Sequence, residues 1–191
     1  MIKNYFTAGY RPATKMQLRT LKKIEDELET EMWKQISIVS GSAGIALYEN
    51  WEWRAKRIAG FFREINRCWV ECTGDRSESM LGMLEKETGI IIDIPGFDGK
   101  YSDLLFFQGD SADVELSIQQ RIYMRQRQKK WIGAEIFASA LLALHRLYGF
   151  GDGRLGRVSG QIHEVRDRYG WDPKAIEKAC YEITGVGLEI G

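Results

Sequence analysis

Arg57-Ile58-Ala59-Gly60-Phe61-Phe62-Arg63-Glu64-Ile65 is matched later in the chain by Arg157-Val158-Ser159-Gly160-Gln161-Ile162-His163-Glu164-Val165. Arg, Gly and Glu recur in register, with Ile58 against Val158 and Ile65 against Val165. The match extends outward: Trp33 aligns with Trp131, Ala46-Leu47-Tyr48 with Ala143-Leu144-His145, and Thr88-Gly89-Ile90 with Thr184-Gly185-Val186. The offset changes only slightly, where turns are expected. The sequence therefore reads as all-α, with two related multi-helix units over 15–90 and 111–191. A partly extended linker over 91–110 joins them, and an N-terminal arm over 1–14 precedes them. Repeated scaffolds usually present surfaces, which favours a binder over a catalyst.

Within the first unit, Leu18, Leu21, Ile24, Leu28 and Met32 recur at three and four between Lys15 and Lys34, the stripe of an amphipathic helix. Gln35 to Tyr48 is a second, mostly apolar segment containing Gly41, Ser42, Ala43 and Gly44; Ala138, Ser139 and Ala140 fall at the corresponding point of the second unit. Glycine costs about 1 kcal/mol in a helix interior, so small residues in both units predict a tight helix crossing. Arg54 to Glu71 forms the next helix, with Ile58, Phe61, Phe62, Ile65 and Trp69 on one side. Ser77 to Glu87 follows, capped by Ser77 and stopped by Gly89. The second unit repeats the order with helices over Trp131 to Tyr148 and Arg154 to Tyr169. Its last helix is capped by Asp172, opened by Pro173 and ended by Gly185. Ile90 to Ile94 and Leu104 to Phe107 are short apolar runs flanked by Pro and Gly, readable as a short β-hairpin or as packed linker.

At 191 residues, 44% apolar and 28% charged, the chain can bury one sizeable core or two small ones. No apolar stretch approaches the roughly 20 residues of a membrane span, and no apolar leader opens the sequence. A cytoplasmic protein without a membrane partner is the expectation. Three cysteines suit reduced core thiols better than a disulfide frame. Net charge is zero, so bulk electrostatics names no partner. Local patterning says more: Glu25, Asp26, Glu27, Glu29 and Glu31 crowd one helix, whereas no acid interrupts Leu116 to Ala134.

Enzyme signatures are missing. There is no Gly-x-Ser-x-Gly elbow and no His-Glu-x-x-His, and His145, His163, Cys68 and Cys72 do not make a four-ligand metal pattern. Neither a metal nor a cofactor is expected. Asp98 and Asp103 in the linker are the best candidates should the protein be a small hydrolase or nuclease. Gly149-Phe150-Gly151-Asp152-Gly153-Arg154 resembles a phosphate-cradling loop but follows a helix and lacks the P-loop lysine, so an interhelical turn is the simpler reading. The sharpest binding candidate is the basic helix. It sets Arg121, Arg125, Arg127, Lys129 and Lys130 beside Tyr123 and Trp131, a combination that holds phosphates, stacks on bases or anchors on an acidic protein. Arg154 adds charge near the glycine turn. Each unit's three-helix run also has the ground plan of a helix-turn-helix reader, but the third helices are rich in Glu, which disfavours groove reading.

Met83-Leu84-Glu85-Lys86-Glu87-Thr88-Gly89-Ile90, Ile122-Tyr123-Met124-Arg125-Gln126-Arg127-Gln128-Lys129-Lys130-Trp131 and Ala143-Leu144-His145-Arg146-Leu147-Tyr148-Gly149-Phe150-Gly151 resemble a family of small proteins from temperate phages and prophages of Gram-positive, Clostridia-like bacteria. The resemblance covers roughly Cys68 to Ile190 and implies a setting, not a residue role. Small phage proteins of this kind often bind host machinery. The expected function is thus a non-enzymatic inhibitor of a host nucleic-acid machine, in an anti-CRISPR or similar counter-defence role, partnered by a host protein or ribonucleoprotein effector. The alternative is a DNA- or RNA-binding phage regulator or replication accessory protein.

Overall fold

The computed structural model describes residues 14–73, 79–94 and 117–188, with side chains in 69–73 left out. Six helices account for nearly all of these residues: α1 (Lys15–Trp51), α2 (Ala55–Thr73), α3 (Met80–Thr88), α4 (Ile118–Tyr148), α5 (Asp152–Arg168) and α6 (Pro173–Thr184). No membrane-crossing helix is found among them. Residues 1–13 of the expected arm, the cap Ser77, the Leu104 to Phe107 run, and Asp98 and Asp103 lie outside the described residues.

Local chemistry sets the helix ends. Thr14 and Gln17 form a reciprocal capping box at the start of α1, as Ser117 and Gln120 do at the start of α4. Asp172 accepts the Lys174 N–H at 3.0 Å, with Pro173 opening α6. Gly89 and Gly185 close α3 and α6 in the left-handed region, at φ 75° and 72°. Before each glycine a threonine hydroxyl donates to the carbonyl four residues back, at 2.7 Å in both cases. It then accepts the amide two residues on, at 3.2 Å for Thr88 and 3.1 Å for Thr184.

α1 and α4 dominate the architecture, about 55 Å and 46 Å long at 1.5 Å per residue. They run in the same direction, since Glu25 meets Arg125, Glu27 meets Lys129, and Trp51 stacks on Phe150 beyond the far end of α4. The remaining helices pack crosswise: α1 is covered by α5 and α6, whereas α4 is covered by α2 and α3. Each long helix is thus enclosed chiefly by helices from the other half of the chain. That explains why every residue from Ser37 to Leu47, and from Glu135 to Leu144, is buried: these stretches have neighbours on all sides. One core results, running from Val39 through Phe61, Leu84 and Leu141 to Val158 and Cys180.

The small residues of α1 make the tightest crossing. A Cβ on Gly41 would stand 2.6 Å from Ile176 Cγ2, and one on Gly44 would stand 2.8 Å from Phe62 Cζ and 3.2 Å from Cys180 Sγ. Gly44→Val should therefore lower stability by about 1–3 kcal/mol through overpacking, despite its better helix propensity. Urea unfolding checks this, and an unchanged midpoint would mean α6 is not held against α1.

Four sequence expectations need correction. The Lys15–Lys34 and Gln35–Tyr48 segments are one continuous helix, because contact with α6 and Phe62 offsets the glycine cost inside it. The basic segment and Trp131–Tyr148 likewise fuse into α4. Ile90 to Ile94 is not a strand. Ile94 is buried and Ile91 is 67% exposed, so the run lies along the body with alternating burial, yet no regular backbone ladder forms among the described residues. Leu18, placed on the apolar stripe, is 51% exposed near the α1 N-terminus.

Candidate nucleic-acid interface

The basic face of α4 meets the acidic face of α1. Lys129 Nζ lies 2.9 Å from Glu27 Oε2, and Arg125 Nε lies 3.8 Å from Glu25 while its Nη1 donates to Gln128 at 2.9 Å. The Lys129 hydrogen bond and charge hold the Glu27 carboxyl below its ordinary range. Exposed pairs of this kind add little stability but do fix the register of parallel helices. Arg125 and Lys129 thus face inward charge. Arg127 lies over the Trp131 ring at 4.8 Å and the Tyr123 ring at 5.8 Å. Arg121, Tyr123 and Lys130 are exposed on the same helix. Of the sequence candidates, Arg154 alone belongs elsewhere.

Arg154 stands at the opposite end, where the C-termini of α1 and α4 meet the N-termini of α2 and α5. Gly149, at φ 64°, accommodates the left-handed turn that ends α4, and its N–H returns to the His145 carbonyl at 2.9 Å. The turn delivers Phe150 into an aromatic cluster. Trp51 and Phe150 have ring centroids 4.9 Å apart, Trp53 and Tyr148 4.4 Å, and Trp53 and Phe150 6.1 Å. Polar ties fix the rings: Trp51 Nε1 donates to Gln161 at 2.7 Å, and the Tyr148 hydroxyl donates to the Arg57 carbonyl at 3.1 Å.

Three arginines cover this cluster, and a fourth, Arg54, flanks it over Tyr48. Arg57 lies 4.1 Å from the Trp53 ring and 4.9 Å from that of Tyr148; Arg157 is 5.6 Å from Trp51, Arg154 5.9 Å from Phe150, and Arg54 5.8 Å from Tyr48. All four are exposed. None forms an ion pair among the described residues, whereas the nearby acid Glu49 is engaged by Arg168 at 2.8 Å. Aromatic faces attract each guanidinium without accepting its N–H hydrogen bonds, so the donors remain available to water or to an anion. Sequence reasoning missed Arg54, Arg57 and Arg157 as binding residues. The signal was present, because Arg57 and Arg157 open the two matching segments quoted above.

Glu135 and Cys180, two buried titratable groups, have structural surroundings. Glu135 of α4 is 1% exposed, and its Oε2 accepts the α3 amides of Met80 at 2.7 Å and Leu81 at 3.4 Å. Burial pushes this carboxyl up to about 7. Cys180 packs between α6 and α1, where burial raises its thiol to about 11 and leaves it unreactive. No group of three or more metal-ligating side chains occurs among the described residues. Comparison with family models, curated proteins and solved structures gave no match.

Proposed function

We propose that the protein binds nucleic acid, taking backbone phosphates on Arg54, Arg57, Arg154 and Arg157. The observation that carries this reading is the gathering of three unpaired, exposed guanidinium groups over one aromatic cluster, with a fourth, Arg54, held over Tyr48 beside it. Arginine suits phosphate because its planar donors engage two oxygens together, and stacking on a ring pre-orients it, which reduces the ordering cost of binding. Trp53 and Phe150 are buried beneath the arginines, so they act as a floor and the contacts are to phosphate more than to bases.

The reading treats α1–α3 and α4–α6 as duplicated units. Its supports are the aligned segments, the shared Thr-Gly helix ends, the paired capping boxes and the reciprocal covering of α1 and α4. Arg57 and Arg157 occupy matching places, one from each unit, so duplication would have doubled a single phosphate contact.

A salt titration with duplex and single-stranded oligonucleotides tests the proposal. Four phosphate contacts give log K falling against log salt with a slope of about −3 to −4, or roughly a hundredfold loss between about 50 and 200 mM salt. No binding at the lower salt would overturn it.

A second reading assigns the contact to α4 and the partner to an acidic surface on a host effector, consistent with an inhibitory phage role. Arg127 between Tyr123 and Trp131, with Tyr123 59% exposed, favours it as an anchor. Binding to a protein partner that is insensitive to changes at the four pole arginines would select this reading.

A further inference from the structure

Away from the arginine pole, α1, α4 and α5 and the Ile90–Asp93 segment line an open-mouthed cavity of about 570 Å³. That size falls within the range of small-molecule sites. Ile92, Phe137, Leu141, Leu155 and Trp171 supply apolar wall. Arg166 lines the same cavity and is 5% exposed. Its guanidinium lies between Phe137, at 4.8 Å from the ring, and Trp171, at 5.0 Å. Its Nε has no hydrogen-bond partner, and the side chain joins no ion pair among the described residues. The adjacent Asp167 instead accepts the Trp171 indole N–H at 2.9 Å.

A buried cation without a hydrogen-bonded partner is costly, and ring faces offset only part of that cost. Burial already pulls the Arg166 guanidinium down to about 10, yet it remains charged at neutral pH. Its in-plane donors suit an oxyanion, and Ser159 and His163 on the same helix line the cavity beside it. The acids at this cavity, Asp93 and Asp152, are both solvent-exposed, and Asp152 lies about four helical turns from Arg166 along α5.

We infer that this cavity binds a small amphipathic anion, with its carboxylate or phosphate on Arg166 and its apolar body against Phe137, Leu141 and Leu155. The site is independent of the nucleic-acid reading and stands if that reading fails.

Calorimetric titration with decanoate, decyl phosphate, 1-decanol and decylamine tests it. A charge-assisted hydrogen bond is worth about 1.5–3 kcal/mol, so at least one anion should bind about tenfold or more tighter than 1-decanol. The better of decanoate and decyl phosphate identifies the headgroup. Arg166→Met should lose that preference while raising the thermal midpoint, because an apolar side chain replaces an unpaired buried charge. A purely structural arginine would give the opposite thermal shift. Gly156→Leu serves as a second variant: a Cβ there meets nothing within 4 Å, so the helix tolerates it while the side chain fills the cavity and blocks binding. The inference is overturned if neither anion binds at millimolar concentration, if 1-decanol or decylamine binds as tightly, or if both variants retain anion binding.

Discussion

Arg57→Glu combined with Arg157→Glu is expected to weaken oligonucleotide binding by about a hundredfold or more while leaving the fold intact. Each guanidinium–phosphate contact is worth about 1.5–3 kcal/mol, and reversal adds repulsion to the loss. Two such sites exceed the roughly 2.7 kcal/mol that a hundredfold change requires, even if their effects do not add fully. The cost to folding is small: both side chains are exposed, and what is lost is three cation–π contacts of about 0.5–1 kcal/mol each. Fluorescence anisotropy at fixed salt measures the first effect, and thermal unfolding the second. The matched control reverses Arg121 and Arg127 on α4. If that control abolishes binding and the pole variant does not, the interface belongs on α4.

Stability should fall as pH rises from about 4.5 to 7 through the Glu135 contribution, and Glu135→Gln should remove that fall. The folded carboxyl sits at about 7, above the ordinary 4.5, because burial penalises its charged form more than the Met80 and Leu81 amides reward it. In that window the native state holds a proton that the unfolded chain has released, so raising the pH favours unfolding. The shift amounts to about 3 kcal/mol at pH 8, fully expressed only above the folded value. Gln keeps an acceptor for the α3 amides without the charge. It should leave stability near pH 5 little changed and raise it at pH 8. Other groups act in the reverse sense. Glu64, held low by the Arg67 hydrogen bond, and Glu87, held low by Arg146, lose their contribution as pH falls below the ordinary carboxylate value. His163, lowered by burial and then by Arg166, disfavours the fold as it is forced to charge. Comparing the variant with the parent across pH isolates Glu135; parallel stability curves would sink its assignment.

The helix ends were legible because their chemistry is local. Gly89, Gly185 and the Asp172–Pro173 start each announce themselves within a few residues. Continuity through Gly41 and Gly44 was not legible, since propensity argues against it and the compensating contacts come from Phe62, Ile176 and Cys180, distant in sequence. The same limit governed the charges. An acidic helix and a basic helix were visible, but their pairing required knowing that α1 and α4 lie side by side and parallel. The arginine pole was harder still, being assembled from two helix starts, two helix ends and two connecting turns. The Ile90–Ile94 run misled because alternating burial marks any extended segment lying on a core, whether or not a neighbouring strand exists.

The crosswise covering of the long helices has a consequence for how the chain is made. When α1 leaves the ribosome, the helices that enclose Ser37 to Leu47 have not yet been synthesised, and α2 and α3 belong mainly against α4. The apolar half of α1 can meet Phe62 of α2 and then α4 first, but its covering is complete only once translation has passed α6. Neither half can be completed as a separate folding step, and closure depends on contacts spanning more than a hundred positions, such as Trp51 with Gln161 and Glu49 with Arg168. Synthesis thus leaves an interval in which part of that segment's apolar surface stays open to unwanted association.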